Sequence, residues 1–232
     1  MVITLALDSL IPYMTPVSSS PYFSGLEPAE LETIGRLMSE RNADKDEIIW
    51  LAGEPANELH FLVSGAVKLF FTSCEGKEQI LKLLRPGESF GDIAVFDGDF
   101  HSFSAQTIVK SVFYTIRRTD LEDLLWQNPQ FARNAIKVLA EKARHYMSLV
   151  EDLSFMNVDG RLAKILLEQI GDRTNSQQFQ LSRRELAAMV GTVRETVGRV
   201  LKSLEDEGIV SLDGRRILIN DVGALREKVV IC

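Results

Sequence analysis

The sequence predicts an α+β fold with an N-terminal antiparallel β-roll, one long helix and a helical C-terminal domain that closes on a β-hairpin. Three observations support this prediction. Short apolar runs separated by glycine fill residues 45–116. A helical apolar pattern then runs from Pro129 to Asp159 without a breaker. Between residues 181 and 220, two short amphipathic segments are followed by an Asp-Gly turn.

Length and charge indicate two domains of different character. A chain of 232 residues with 45% hydrophobic content is typical of two modest globular domains. The net charge is −7, yet residues 160–232 carry twelve Lys and Arg against ten Asp and Glu. Phosphate binding depends on local clusters of cations, so a nucleic-acid partner is expected at the C-terminal end.

Several functional classes lack the residues they need. No run of about 18 uncharged apolar residues is present, so no membrane span is predicted. The first basic residue is Arg36, which argues against a secretory signal. Cys74 and Cys232 cannot supply a disulfide framework or a four-thiolate site. We therefore expect a cytoplasmic protein.

The predicted roll is bounded by helical segments. Leu26 to Leu37 has helical spacing with Pro28 near its start, and Thr119 to Glu122 has the form of a capping box. The predicted strands between them are 48–51, 59–63, 66–71, 80–84 and 109–116.

The long helix carries an apolar seam with alternating spacings of three and four, over nearly three heptads. This pattern favours a parallel homodimer. The alternative is a helix that packs only on the core of its own domain. The seam residues are Ile136, Leu139, Ala143, Tyr146, Val150 and Leu153.

Residues 181–204 have the pattern of two helices joined by a tight turn. Ser182 and Glu185 form a capping box for the first helix, and Gly191 ends it and permits the turn. Thr192 can cap the second helix. Its predicted buried face consists of Val193, Val197, Val200, Leu201 and Leu204.

The opposite face of the second helix is suited to the major groove of DNA. Arginine can donate two hydrogen bonds to guanine, and glutamate can accept one from cytosine. Gly198 has no side chain on this face, so the helix can approach the DNA bases closely. The alternative is an ordinary solvated helix face. The exposed stripe consists of Arg194, Glu195, Gly198, Arg199 and Lys202.

A predicted wing separates these alternatives. Gly208 stops the helix, and residues 209–212 and 215–219 are predicted strands around Asp213-Gly214. Helix, turn, helix and wing in this order indicate a DNA-binding transcription regulator. We divide the chain into a loose arm (1–22), a sensor roll (23–128), a dimerisation helix (129–157) and a winged helix-turn-helix domain (158–232).

The run from Val190 to Leu201 closely resembles the recognition helix of the CRP/FNR family of bacterial regulators. The resemblance includes residues 63–65, 85–88, 91–94 and 159–161. It implies a cyclic-nucleotide-binding-like roll and a homodimeric activator on a TGTGA-like palindrome, with RNA polymerase as a further candidate partner. It also implies base contacts from Arg194, Glu195 and Arg199, and phosphate contacts from Ser182, Arg183, Thr196, Lys202 and Arg215.

The resemblance also places an effector pocket in the roll, but with departures from a cyclic AMP site. Such a site holds the ribose with Gly-Glu and the phosphate with Arg-Ser. Here the acid is the shorter Asp92, and His101 stands where arginine is expected; a mostly neutral imidazole cannot replace a bidentate guanidinium. Bulky residues also replace the small hydroxyls that face adenine. The candidate pocket consists of Gly91, Asp92, Ile93, Ala94, His101, Ser102, Tyr146 and Met147.

We therefore predict an unidentified small-molecule effector other than cyclic AMP, or none. The alternatives are a cyclic AMP-responsive regulator and a haem-containing sensor of nitric oxide. An iron–sulfur sensor is excluded because it needs about four cysteines. A metal-dependent barrel enzyme would need an HxH pair, whereas His60, His101 and His145 lie far apart, so no enzyme activity is predicted. A nucleotide-binding module that does not bind DNA is a remote alternative.

Overall fold

The computed structural model describes residues 20–171, 181–214 and 216–229, except for the side chains of residues 170 and 171. Two compact units form within these ranges, one from residues 20–70 and 83–144 and the other from 71–82 and 145–229. Both strands and helices are present in the predicted order, which confirms the α+β class. Residues 1–19 of the predicted arm and the predicted phosphate contact Arg215 lie outside the described residues.

The roll consists of two four-stranded antiparallel sheets, with strand orders β1-β8-β3-β6 and β2-β7-β4-β5. The sequence did not predict β1, β6 and β7, because β1 and β7 are polar and β6 has only two residues. These strands are held by pairing with apolar neighbours, as in β1 on β8 and β7 on β4. The strands are β1 (Ser39–Ala43), β2 (Ile48–Trp50), β3 (Glu58–Ser64), β4 (Val67–Thr72), β5 (Glu78–Leu84), β6 (Ser89–Phe90), β7 (Ser104–Thr107) and β8 (Ser111–Arg117).

Two apolar clusters stabilise this unit. One lies inside the roll and includes Leu62, Phe90 and Phe113. The other joins the roll to helices and includes Phe61 and Phe131. Burying such side chains contributes about 1.5–3 kcal/mol each. The helices are α1 (Pro28–Leu37), α2 (Asp92–Asp97), α3 (Arg118–Gln127) and α4 (Pro129–Phe155).

Two boundary predictions in this unit were wrong. Tyr22, assigned to the loose arm, is fully buried in the second cluster, in a short 3-10 turn at Pro21–Phe23. The ordered domain therefore begins before residue 22. Thr119 does not cap α3, because the helix begins at Arg118 and Thr119 lies inside it.

The second unit contains the predicted helix-turn-helix and wing. Its helices are α5 (Val158–Gly171), α6 (Arg183–Val190), α7 (Arg194–Asp206) and α8 (Val222–Glu227), and its strands are β9 (Val210–Asp213) and β10 (Arg216–Ile219). The two strands pair antiparallel, with Arg216 opposite Asp213. Leu162, Val190 and Leu201 lie in its apolar core. Across the described parts of both units, no helix is long and apolar enough to cross a membrane.

Candidate nucleic-acid interface and effector site

The start and end of α6 are set by the residues that the sequence indicated. Ser182 Oγ accepts a hydrogen bond from the Glu185 backbone N–H at 3.2 Å, and the Glu185 carboxylate accepts one from the Ser182 N–H at 2.6 Å. This reciprocal pair confirms the capping box. Gly191 ends the helix with φ +76°, a left-handed conformation that glycine adopts without strain. The turn therefore leads directly into α7.

Helix α7 packs its apolar face inward, but its start differs from the prediction. Val193 is the residue before the helix and is 52% exposed, so its assignment to the buried face was wrong. No side chain caps this helix, so the predicted cap at Thr192 was also wrong. The tight turn sets the position of α7, and its apolar face fixes which side chains point outward. The buried residues of α7 are Val197, Val200, Leu201 and Leu204.

The outward face of α7 brings the predicted base-contacting residues together. Arg194, Glu195 and Arg199 are all exposed. Arg199 Nη2 donates a hydrogen bond to Thr196 Oγ1 at 3.2 Å, which orients the guanidinium along the helix. A methyl group built on Gly198 would lie 3.8 Å from Arg183 Nη1. Arg183, from the first turn of α6, therefore extends over the middle of α7 and joins the same surface.

Lys202, near the end of this surface, is exposed and paired with carboxylates. Its ammonium lies 2.9 Å from Asp206 and 3.1 Å from Glu205. Hydrogen bonds to Asp206 and then to Glu205 raise the pKa of Lys202 above its usual value. Exposed pairs of this kind are weak, so a DNA phosphate can compete for the ammonium.

An anchor that sequence reasoning missed holds the turn of the helix-turn-helix. Arg161 on α5 donates from Nε to the Val190 carbonyl at 2.8 Å and from Nη1 to the Met156 carbonyl at 2.6 Å. One guanidinium therefore satisfies carbonyl groups at the ends of two helices. Arg161 belongs to the family-like motif 159–161, but its partners are separated from it in sequence and so were not predicted.

The predicted effector carboxylate, Asp92, is buried and already has several partners. It follows Gly91, whose φ of +86° turns the chain into α2. Asp92 Oδ2 accepts hydrogen bonds from Tyr22 OH at 3.0 Å and from Ser89 Oγ at 3.2 Å, and Oδ1 accepts one from the Ile93 backbone N–H at 3.1 Å. Burial, together with the charge of Asp92, raises the pKa of Tyr22 far above its usual value, so the phenol stays a donor.

The remaining partner of Asp92 is a cation from the chain itself. Lys142 on α4 forms a buried ion pair with Asp92 Oδ2. The same ammonium donates to the Ser89 carbonyl at 2.8 Å. Neither Lys142 nor Tyr22 was among the predicted pocket residues.

His101 lies inside the roll, stacked on an indole ring. Its ring centroid is 4.0 Å from that of Trp50, with 11° between the planes. Burial lowers the pKa of His101, so the neutral imidazole is favoured. The other predicted phosphate-site residue, Ser102, is exposed. Trp50 also lies 3.4 Å from a methyl group built on Gly91, so the roll brings the two predicted parts of the pocket against one ring.

His60 is a second buried imidazole beside Trp50. Neither of its ring nitrogens has a hydrogen-bond partner among the described residues. Burial, followed by the positive charge of Arg41 and the electrostatic interaction with His101, lowers the pKa of His60 to about 3. The 3.9 Å approach of His60 to Glu58 is therefore not an ion pair at neutral pH, because the imidazole is uncharged.

Two further predicted pocket residues, Tyr146 and Met147, belong to the second unit. Tyr146 is half-buried, and Met147 is 71% exposed.

A winged helix-turn-helix with an exposed arginine-bearing helix, in a chain that also contains a β-roll, defines a DNA-binding transcription regulator. Two family models agree with this class. The cyclic nucleotide-binding domain matches residues 40–128, and the Crp-like helix-turn-helix domain matches residues 160–228.

Known proteins extend the similarity over nearly the whole chain. The cyclic AMP receptor protein of Thermus thermophilus is 33% identical, covering 91% of this chain and 97% of that protein. A CRP-like cAMP-activated global transcriptional regulator of Mycobacterium tuberculosis is 29% identical, covering 86% and 92%. The solved structure of FixK2 from Bradyrhizobium japonicum matches with a TM-score of 0.75 at 28% identity, covering 84% and 98%.

The chain belongs to the CRP/FNR family of transcription regulators. It is a DNA-binding regulator of transcription and not an enzyme.

Proposed function

We propose that this regulator binds a palindrome of TGTGA-like half-sites as a homodimer, with an effector other than cyclic AMP or with none. The observation that carries the DNA part is the outward face of α7. It presents Arg194, Glu195 and Arg199 together, and Gly198 between them lets the helix approach base edges closely. Ser182, Arg183, Thr196 and Lys202 surround this face as phosphate contacts, and Arg215 completes the predicted set.

The homodimer is supported by an apolar stripe on α4 that the single chain leaves uncovered. Ile136 is 67% exposed, Val150 is 64% exposed and Leu153 is 37% exposed. Ala143 is also exposed, and Leu139 and Tyr146 are half-buried. Water contact with this much apolar surface is unfavourable, and heptad spacing suits a second identical helix. A two-fold dimer places two α7 helices for two half-sites.

Contacts within the roll support an effector other than cyclic AMP, or none. Asp92 accepts bonds from Tyr22, Ser89 and Ile93 and is ion-paired with Lys142, so it is not free to hold a ribose. His101 is stacked and neutral, and so gives no charge to a phosphate. The two relatives named for cyclic AMP are only 29% and 33% identical, which leaves room for a different effector site.

DNA specificity is tested by selecting binding sites from a random duplex library with the full chain, without added ligand. We expect a palindrome of TGTGA-like half-sites, spaced for a two-fold dimer. Arg199→Ala is the matched variant, because it removes one guanidinium from an exposed face without disturbing the core. Enrichment of no sequence, with or without ligands, would contradict the DNA part of the proposal.

Isothermal calorimetry with cyclic AMP at pH 7.5 tests the effector part. A charge-assisted bond contributes about 1.5–3 kcal/mol, so loss of the phosphate arginine should weaken binding roughly 10- to 150-fold, from micromolar to tens or hundreds of micromolar. A titration at pH 5.5 should add less affinity than a histidine of ordinary pKa would, because burial lowers the pKa of His101 and disfavours its charged form. Micromolar binding at pH 7.5 would show that the proposal of an effector other than cyclic AMP is wrong.

We also propose that the protein activates transcription in the cytoplasm, through contact with RNA polymerase.

A further inference from the structure

Lys142 is a charged side chain buried on the long helix α4. Only 10% of its side chain and 3% of that of Asp92 are exposed. Its ammonium donates to the Ser89 carbonyl at 2.8 Å and Ser89 Oγ at 3.3 Å, and pairs with Asp92 Oδ2. A lysine ammonium has three protons, and here three acceptors surround it. The chain itself therefore supplies the cation that this buried carboxylate needs.

The carboxylate and its partners join three separate segments of the first unit. Tyr22 reaches Asp92 from the N-terminal turn, Ser89 reaches it from β6, and Lys142 reaches it from α4. Asn134, two turns before Lys142 on α4, donates to the Tyr22 carbonyl at 2.9 Å and the Ser24 carbonyl at 2.8 Å. Helix α4 is thus attached at two points, to the N-terminal turn through Asn134 and to the roll through Lys142.

These attachments determine the rotation of α4 about its own axis. Successive residues of a helix are about 100° apart, so holding Lys142 inward fixes the direction of its neighbour Ala143. The exposed stripe at Ile136 and Ala143 then points away from the roll. A ligand in the roll that regulates the protein would have to change how α4 packs there. The Lys142–Asp92 pair already sets that packing.

We propose that Lys142 is a built-in substitute for an effector. Its ammonium pairs with the Asp92 carboxylate and fixes the rotation of α4. It thereby keeps the chain in its DNA-binding form without any added ligand. This inference deepens the proposed function and rests on its DNA-binding part. The site so defined accepts a primary alkylammonium group, which Lys142 provides in cis.

Chemical rescue tests this inference. Lys142→Ala removes the three terminal methylenes and the ammonium of the side chain, the shape of n-propylammonium. We expect the variant to bind its selected DNA site at least about tenfold more weakly than wild type, within the usual range of coupling between sites. Millimolar n-propylammonium should restore binding and raise the melting temperature of the variant. Propan-1-ol, which lacks the charge, and tetramethylammonium, which cannot donate hydrogen bonds, should restore neither.

Lys137→Ala is the matched control, since Lys137 lies on the same helix and is exposed. It should bind DNA as wild type does and show no response to n-propylammonium. If Lys142→Ala does not fold, Lys142→Met keeps most of the side-chain volume, and circular dichroism establishes its fold. The expected result is again at least about tenfold weaker DNA binding.

Three results would overturn the inference. One is a folded Lys142→Met or Lys142→Ala variant that binds DNA as tightly as wild type. The second is rescue by propan-1-ol as effective as rescue by n-propylammonium. The third is wild-type protein that binds its palindrome only after a ligand is added, a result that would leave the proposed DNA-binding function intact. By contrast, wild type that selects no DNA sequence, with or without added ligands, would refute the proposed function itself.

Discussion

The buried imidazole of His60 predicts a stability that falls in mild acid. In the folded chain its pKa is about 3, against an ordinary value of 6.5, chiefly because burial penalises the charged form. Above pH 6.5 both folded and unfolded chains hold a neutral imidazole. As the pH falls below 6.5, the unfolded chain gains a proton that the folded chain does not take up, so unfolding becomes more favourable.

The magnitude follows from these two pKa values. Between pH 7 and pH 5, protonation of the unfolded chain at one site of pKa 6.5 should lower the free energy of unfolding by about 2 kcal/mol. The limit, reached only near pH 3, is about 5 kcal/mol from the same difference. Other groups that face His60 are Arg41, His101 and Glu58, and the Arg41 guanidinium opposes a positive charge there.

Urea unfolding at pH 5, 6 and 7 measures this effect in wild type and His60→Phe. The phenyl ring suits the surrounding aromatic rings of Trp50, Phe90 and Phe113 and does not titrate. We expect His60→Phe to lose about 2 kcal/mol less than wild type over this range. His145→Gln, which removes an exposed histidine in place of the buried one, is the control. An identical pH dependence in wild type and His60→Phe would refute the argument.

The remaining predictions concern DNA contact, assembly and one tight turn. Arg199→Ala should cost about 1–3 kcal/mol of DNA-binding free energy and relax selectivity at one guanine, as measured by gel shift on altered half-sites. Lys202→Ala should weaken binding to all DNA sequences alike, and should reduce the slope of log affinity against log salt concentration by about one. Ile136→Asp should give monomers by light scattering, while Lys137→Asp on the same helix should remain dimeric; a dimeric Ile136→Asp protein would show that the stripe does not join two copies. Gly65→Ala should sharply reduce stability in urea, because Gly65 has φ +92° and a methyl group there would lie 2.6 Å from a backbone carbonyl.

Local signals explain why the DNA-binding unit could be predicted in such detail. The Ser182–Glu185 capping box and the glycine turn after α6 involve residues three to nine positions apart. The hairpin turn at Asp213-Gly214 is equally local. Such features depend on backbone geometry that neighbouring residues impose, and so they can be recognised without the rest of the chain.

The predicted first residues of two helices were wrong. Thr119 and Thr192 each had the right chemistry for a cap, but the helices begin where packing places their apolar faces. Val193 was assigned to a buried face by spacing alone and lies outside the helix. Capping contributes only about 1 kcal/mol, so the burial of a whole face decides the boundary.

The sequence by itself determined the order of the main apolar strands and helices, the family, and the stripe on α7 that suits DNA, because periodicity, caps and turns are encoded locally. Only the tertiary structure decided which side chains contact Asp92, the predicted effector carboxylate. Lys142 and Tyr22 lie 50 and 70 residues from Asp92, and a lysine in a helix ordinarily points to solvent. Burial of an ammonium is favourable only where the fold supplies a carboxylate and further acceptors, and that juxtaposition exists only after the roll and α4 have packed together.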